Sequence, residues 1–170
     1  VTVTDADGVK VTKSLAIDVQ EAGPIKVKAS PLYGIGATDF VLTASVSPQT
    51  SYRVGLFARG NYNNSYGYYF LINGNRDNRW QIIKYGRKGW STPTEIIQGD
   101  IGNDVFQSDK EYWLRVEARG NTLEFFLSFD NETYLKLGEL RDTEFRSGGV
   151  GIALLDGGWA LFDNIMVKKL

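Results

Sequence analysis

The chain has 170 residues, 19 of them basic and 20 acidic, with no cysteine and no histidine. That composition excludes disulfides, thiol nucleophiles, Ser-His-Asp triads and zinc sites with the usual ligands. The balanced charge is not the footprint of a nucleic-acid binder, and no apolar run reaches the ~20 residues of a membrane span. Carboxylate, tyrosine, lysine and arginine remain for catalysis. Oxygen donors, which suit calcium, remain for metals.

The length suggests one domain, or one domain plus a fragment. Glycine is abundant at 19 residues, aromatics make up 13%, and no long helical period appears. Short alternating runs between Gly, Asn, Asp and Pro clusters predict an all-β sandwich. Strands are expected at 1–4, 9–19, 24–29, 39–47, 51–59, 67–73, 79–85, 94–98, 111–119, 122–129, 134–138, 149–155 and 159–168.

The first segment, "VTVTDADGVKVTKSLAIDVQEAG", is rich in Thr and Val and turns at Asp7-Gly8. It resembles the closing hairpin of an immunoglobulin-like bacterial repeat of the polycystic-kidney-disease or cadherin-like sort. On that reading residues 1–22 are a foreign hairpin and linker, and 23–170 are the sandwich. Otherwise these strands are the sandwich's own first hairpin.

Next comes "FARGNYNNSYGYYF", residues 57–70, with four tyrosines around an expected turn. "ARGN" recurs at 118–121, where the turn closes at once, so the added "YNNSYG" is not needed for chain reversal. Tyr and Trp offer flat area at low entropic cost, and Arg, Asn, Asp and Gln answer hydroxyls. Together they suit a sugar, whose C–H faces stack on rings. Two further stretches have this character: "NGNRDNRW" at 73–80 and "KYGRKGWS" at 84–91. In a meander alternate turns share an end, so the turns at 60–67 and 86–93 should lie together and that at 74–78 opposite. The candidate sugar contacts are therefore Arg59, Tyr62, Asn64, Tyr66, Tyr85 and Trp90, with Trp159 of "DGGW" as a further platform. Tyr68, Phe70 and Trp80 read as core, and Tyr62, Tyr66 and Trp90 have the rival role of blunting sheet edges.

"EYWLRVEARGNTLEFFLSFD" predicts a hairpin about Gly120-Asn121, with Tyr112, Leu114, Val116, Ala118, Leu123, Phe125, Leu127 and Phe129 inward. Arg115, Glu117, Arg119 and Glu124 face the other way. Glu117 and Glu124 are expected to be cross-strand neighbours that form ion pairs on a wet face. No E-x-D-x-x-E strand of the laminarinase type is present.

From "ATDFVLTASVSP" through "YRVGLFARG", "YGYYFLINGN", "RWQIIKYG", "KEYWLRVEARGNTLEFFLS" and "GGVGIALLDGGWALFDNIMVKK", the chain resembles concanavalin/laminin-G-like sandwiches of bacterial glycoside hydrolases. Levan-binding-type carbohydrate-binding modules and keto-disaccharide hydrolase domains are the families named by this resemblance, over about residues 38–169. "ALFDNIMVKK" and the "WLRVEARGNTLEFFL" hairpin carry it. The usual "GxWxxxDGxL"-like opening is missing, which leaves the domain start open; Trp113, at a shared motif position, takes a structural role.

The resemblance implies a two-sheet antiparallel jelly-roll, secreted or on a bacterial cell surface. The chain would act as a monomeric, non-catalytic module that binds a polysaccharide or oligosaccharide beside other domains of the same chain. It also implies one structural calcium, held by Asp163 of "FDN" with Asp39 or nearby carbonyls. A structural or adhesion module and a glycoside-processing hydrolase are the other classes this sequence admits.

Overall fold

The computed structural model describes residues 2–4, 10–12, 24–27, 32–50, 53–61, 66–73, 78–87, 92–102 and 105–170. Among them there is no helix. The strands are β1 (Thr2–Thr4), β2 (Lys10–Thr12), β3 (Ile25–Val27), β4 (Leu32–Ala37), β5 (Phe40–Pro48), β6 (Arg53–Asn61) and β7 (Tyr66–Asn73). They continue as β8 (Arg79–Tyr85), β9 (Glu95–Asp100), β10 (Tyr112–Arg119), β11 (Thr122–Ser128), β12 (Leu135–Arg141), β13 (Gly148–Leu155) and β14 (Ala160–Lys169).

Two six-stranded antiparallel sheets form the sandwich, in the orders β12-β11-β10-β5-β14-β3 (the first sheet) and β4-β13-β6-β7-β8-β9 (the second). Among the described residues β1 and β2 pair only with each other, and β3 is the first strand to join a sandwich sheet, through β14. The expected Asp7-Gly8 turn lies outside the described residues.

Alternation builds the core. Phe40, Leu42, Ala44 and Val46 of β5, Leu114, Val116 and Ala118 of β10, and Leu56, Phe70 and Ile82 of the facing sheet are buried between the layers. This is the pattern of two inner faces interdigitating. Trp80 lies in the same core, as expected, with its indole against the backbones of Gly99 and Gly138. A Cβ at either glycine would sit 2.5–2.7 Å from the ring, so only glycine admits it.

Two expectations are corrected. β4, "LYGIGA", lies in the gap between the expected strands 24–29 and 39–47; it pairs with β13 at the edge of its sheet. Phe129 was expected inward, but β11 ends at Ser128, which takes the buried position while Phe129 is 52% exposed.

The loop between β9 and β10 closes one end through Tyr112. Its hydroxyl donates to the Val105 carbonyl at 2.7 Å and accepts from the Gln107 N–H at 2.7 Å. Burial pushes this phenol above its ordinary value. Tyr112→Phe should cost about 1–2 kcal/mol, read as a lower urea midpoint with an unchanged slope.

Candidate functional site

β6 through β9 form a meander. The β6–β7 and β8–β9 turns therefore share one end and the β7–β8 turn lies at the other, as the sequence predicts. The β4–β5, β10–β11 and β12–β13 turns join the first pair: Asp39 accepts from the Gly120 N–H at 2.8 Å, and the Asp142 N–H donates to the Asn121 carbonyl at 2.9 Å.

Tyr66 sits at this end, half-buried, stacked on Phe145 with centroids 4.7 Å apart and planes at 22°. The exposed Arg87 guanidinium approaches both rings, at 5.8 Å and 5.9 Å. Beneath them lies an ionic cluster. Asp142 accepts from the Tyr68 hydroxyl at 2.6 Å, the Glu144 N–H at 2.6 Å and the Lys84 ammonium, which also meets Glu144 at 2.9 Å. Burial works against ionisation of Asp142, but these donors together hold its carboxyl below the usual range. Burial likewise opposes the charge on Lys84, and its two carboxylate partners outweigh it and raise the ammonium. Phe145 joins the two groups: it stacks on Tyr66 and lies 5.9 Å from the Lys84 ammonium.

Tyr62, Asn64 and Trp90 lie outside the described residues. Arg59 does not reach the surface. It adopts φ 51° at a bulge where β6 loses register with β7, which turns its side chain inward, and it is 0% exposed. Nε and Nη2 donate to the Thr38 carbonyl at 3.1 Å and 2.5 Å, and Nη2 lies 3.6 Å from Asp39. Burial lowers this guanidinium below the ordinary arginine value, partly offset by Asp39. The expected hydroxyl-binding role is corrected to a lock between β6 and the β4–β5 turn.

Tyr85 is also corrected. It is 8% exposed and packs edge-on to Tyr69 at 5.4 Å, in a second buried cluster with Phe57, Leu71, Ile83, Ala153 and Leu155. By strand alternation this cluster occupies the face of its sheet turned away from the main core. Trp159 lies in the β13–β14 turn, at the end opposite Tyr66, with the Lys26 ammonium 3.9 Å above its ring.

Asp39 and Asp163 do not come together. Asp163 pairs with Ser45 in the β5–β14 ladder, while Asp39 precedes Phe40, which pairs with Lys169. Six residues of strand, at ~3.3 Å each, separate them by about 20 Å. Asp39 already faces a guanidinium, a poor neighbour for a cation, and no group of three or more acidic residues able to hold a metal occurs among the described residues. The pair does not fit one shared calcium.

Glu117 and Glu124 are direct cross-strand partners. Glu117 is flanked by Arg115 at 3.2 Å and Arg119 at 3.5 Å, and Glu124 by Lys136 at 2.5 Å. Both carboxylates are ion-paired as expected, but the pairs of Glu117 run along β10 itself and only that of Glu124 crosses strands, to Lys136 of β12. The Arg115 guanidinium lies over the rings of Phe126 and Tyr134, at 4.6 Å and 4.2 Å from their centroids. Phe145 and the carboxylates of the β12–β13 turn were not singled out from the sequence; "DTEFRS" carries one ring among polar residues and no period to mark it.

No family model matches this chain, and no curated protein sequence is similar to it. Solved structures are similar. A carbohydrate-binding module, CBM66, from Bacillus subtilis superposes with a TM-score of 0.63 at 16% identity, over 99% of this chain and 91% of that one. A legume lectin-like domain from Entamoeba histolytica gives 0.62 at 13% identity, over 89% and 86%. The galectin LEC-6 of Caenorhabditis elegans gives 0.56 at 10% identity, over 88% and 93%. Among the described residues no helix is long and apolar enough to cross a membrane. With two packed antiparallel sheets and these likenesses, the chain has the concanavalin-like sandwich fold of carbohydrate-binding modules and lectins.

Proposed function

We propose that this chain is a non-catalytic carbohydrate-binding module of a larger secreted or cell-surface glycoside hydrolase, and that it holds that enzyme near a polysaccharide. The observation that carries the reading is the shared end of the β6–β7 and β8–β9 turns. There Tyr66 and Arg87 stand together above the Lys84–Asp142–Glu144 base. Tyr62, Asn64 and Trp90 belong to the same two turns in sequence and supply the remaining rings and amide. The fold likeness to a carbohydrate-binding module supports it. Against a hydrolase stands the pairing of Glu117 and Glu124 with cations, which leaves neither carboxyl placed as a general acid.

A glycan array of the chain beside a Tyr62→Ala/Tyr66→Ala double variant tests this. One polysaccharide class should bind the chain, and the folded double variant should lose at least tenfold in affinity, since stacked rings contribute most of the contact. Equal binding by both proteins would remove the loops from the site.

A further inference from the structure

The outer face of the first sheet holds a cleft that the loop site does not use. It encloses about 130 Å³, room for about four waters by their share of liquid volume, and so takes one edge of a ring rather than a whole sugar. Ser45, Ser47, Asp163 and Glu111 line it with oxygen, and Leu161 and Pro24 line it with carbon.

Ladder registers explain the grouping. Trp113, Ser45 and Asp163 stand side by side across β10, β5 and β14, so their side chains share one face. Ser47 pairs with Leu161 in the neighbouring row. Leu161 also pairs with Lys26, whose ammonium covers Trp159 two residues before it.

Three polar groups line this cleft without a side-chain or cation partner among the described residues. Ser45 is 1% exposed, yet among the described residues its hydroxyl makes no hydrogen bond. Glu111 has no cation and no donor among the described residues. Among the described residues Asp163 accepts one bond, from the Asn164 N–H at 2.7 Å, and faces no cation. Elsewhere on this face every glutamate of the ladder is ion-paired. A hydroxyl facing the cleft and two carboxylates without a cation offer a row of acceptors to a donor from outside.

We propose that this cleft is a second saccharide subsite, for the hydrogen-bond-donating edge of an uncharged or amine-bearing sugar. Vicinal hydroxyls, or a hydroxyl and an ammonium, satisfy the carboxylates and Ser45. Leu161 and Pro24 meet the C–H edge, and the half-exposed Trp113 flanks it. Two carboxylates at the rim repel uronate and sulfated sugars. The subsite rests on the carbohydrate reading above but uses none of its loop residues.

The test follows the indole N–H resonances of the four tryptophans while the chain, in chelator, is titrated with neutral, amine-bearing and uronate oligosaccharides of equal length. The Trp113 resonance should shift saturably with a neutral or amine-bearing sugar and stay still with uronates. Glu111→Gln, isosteric and exposed, should raise the Kd of that shift about tenfold, the loss of one charge-assisted bond. Ser45→Val, a residue suited to a strand, should do the same with the remaining spectrum native. A sugar that binds with Trp113 unmoved, or with the same Kd in both variants, overturns the subsite and leaves the loop reading standing. A dependence on added calcium overturns it in favour of a cation. If no sugar moves any resonance, both readings fall.

Discussion

Trp80→Ala should destabilise the chain by about 4 kcal/mol, the largest single effect expected here. Trp80 is the core residue at the edge where β9 and β12, the outermost strands of the two sheets, come closest. Its indole touches the backbones of Gly99 on β9 and Gly138 on β12. Removing it takes away the apolar area and leaves a cavity that two glycine backbones cannot fill. Without it, Gly99 and Gly138 lose the ring that packs against both. Gly138→Ala attacks the same contact from the opposite direction. Its Cβ would lie 2.5 Å from the ring, so overpacking should cost about 1–3 kcal/mol. Urea unfolding of both variants checks this; a Trp80→Ala midpoint within error of the parent would contradict the packing described.

Asp142→Ala should cost about 3 kcal/mol. The carboxylate is the common acceptor for Tyr68, Lys84 and the Glu144 N–H, and both it and the Lys84 side chain are 11% exposed. Alanine leaves the ammonium with Glu144 alone and strips the buried Tyr68 hydroxyl of its acceptor. Burial, then the Asp142 hydrogen bond, push that phenol well above its ordinary value, so it stays protonated and needs one. The pH dependence follows from the same contacts. Asp142 has a folded pKa below its unfolded one. Its contribution is therefore complete above the unfolded value of about 3.9 and is lost as pH falls through the folded value. Lys84 is raised, so its contribution is complete below about 10.4 and is lost as pH rises through its folded value. In the Asp142→Ala variant the acid limb of the stability profile should flatten. Parallel acid limbs in parent and variant would assign the acid loss to other carboxylates.

The hairpin of β10 and β11 is the part of the fold most legible in the sequence. Its alternation is strict, its turn is two residues long, and each inward residue from Tyr112 to Leu127 is buried. Phe129 misled because alternation says nothing about where a strand stops, and Ser128–Asp130 turns the chain with side-chain bonds instead. β4 falls outside the expected strands because Gly34 and Gly36 interrupt the alternation of apolar and polar residues that marks the others.

The site was legible only in part. Which turns share an end follows from connectivity alone, and that expectation held. Where Arg59 points does not. "ARGN" occurs twice, yet Arg119 is exposed beside a two-residue turn, while Arg59 lies at a bulge that swings it into the sandwich. A local four-residue string does not encode a bulge, which arises from register on both neighbouring strands. The cleft beside Asp163 was hidden for a similar reason: Glu111, Ser45 and Asp163 are far apart in the chain and meet only through the ladders of β5.

The measurement that bears most directly on the central claim is migration of the chain through native gels cast with a panel of polysaccharides, neutral and acidic. Retardation in at least one neutral polysaccharide, reversed by its free oligosaccharide, is the predicted result. Unretarded migration in every gel, by a chain that still unfolds cooperatively in urea, would contradict a carbohydrate-binding role and leave the tyrosine-rich turns to contact a neighbouring domain.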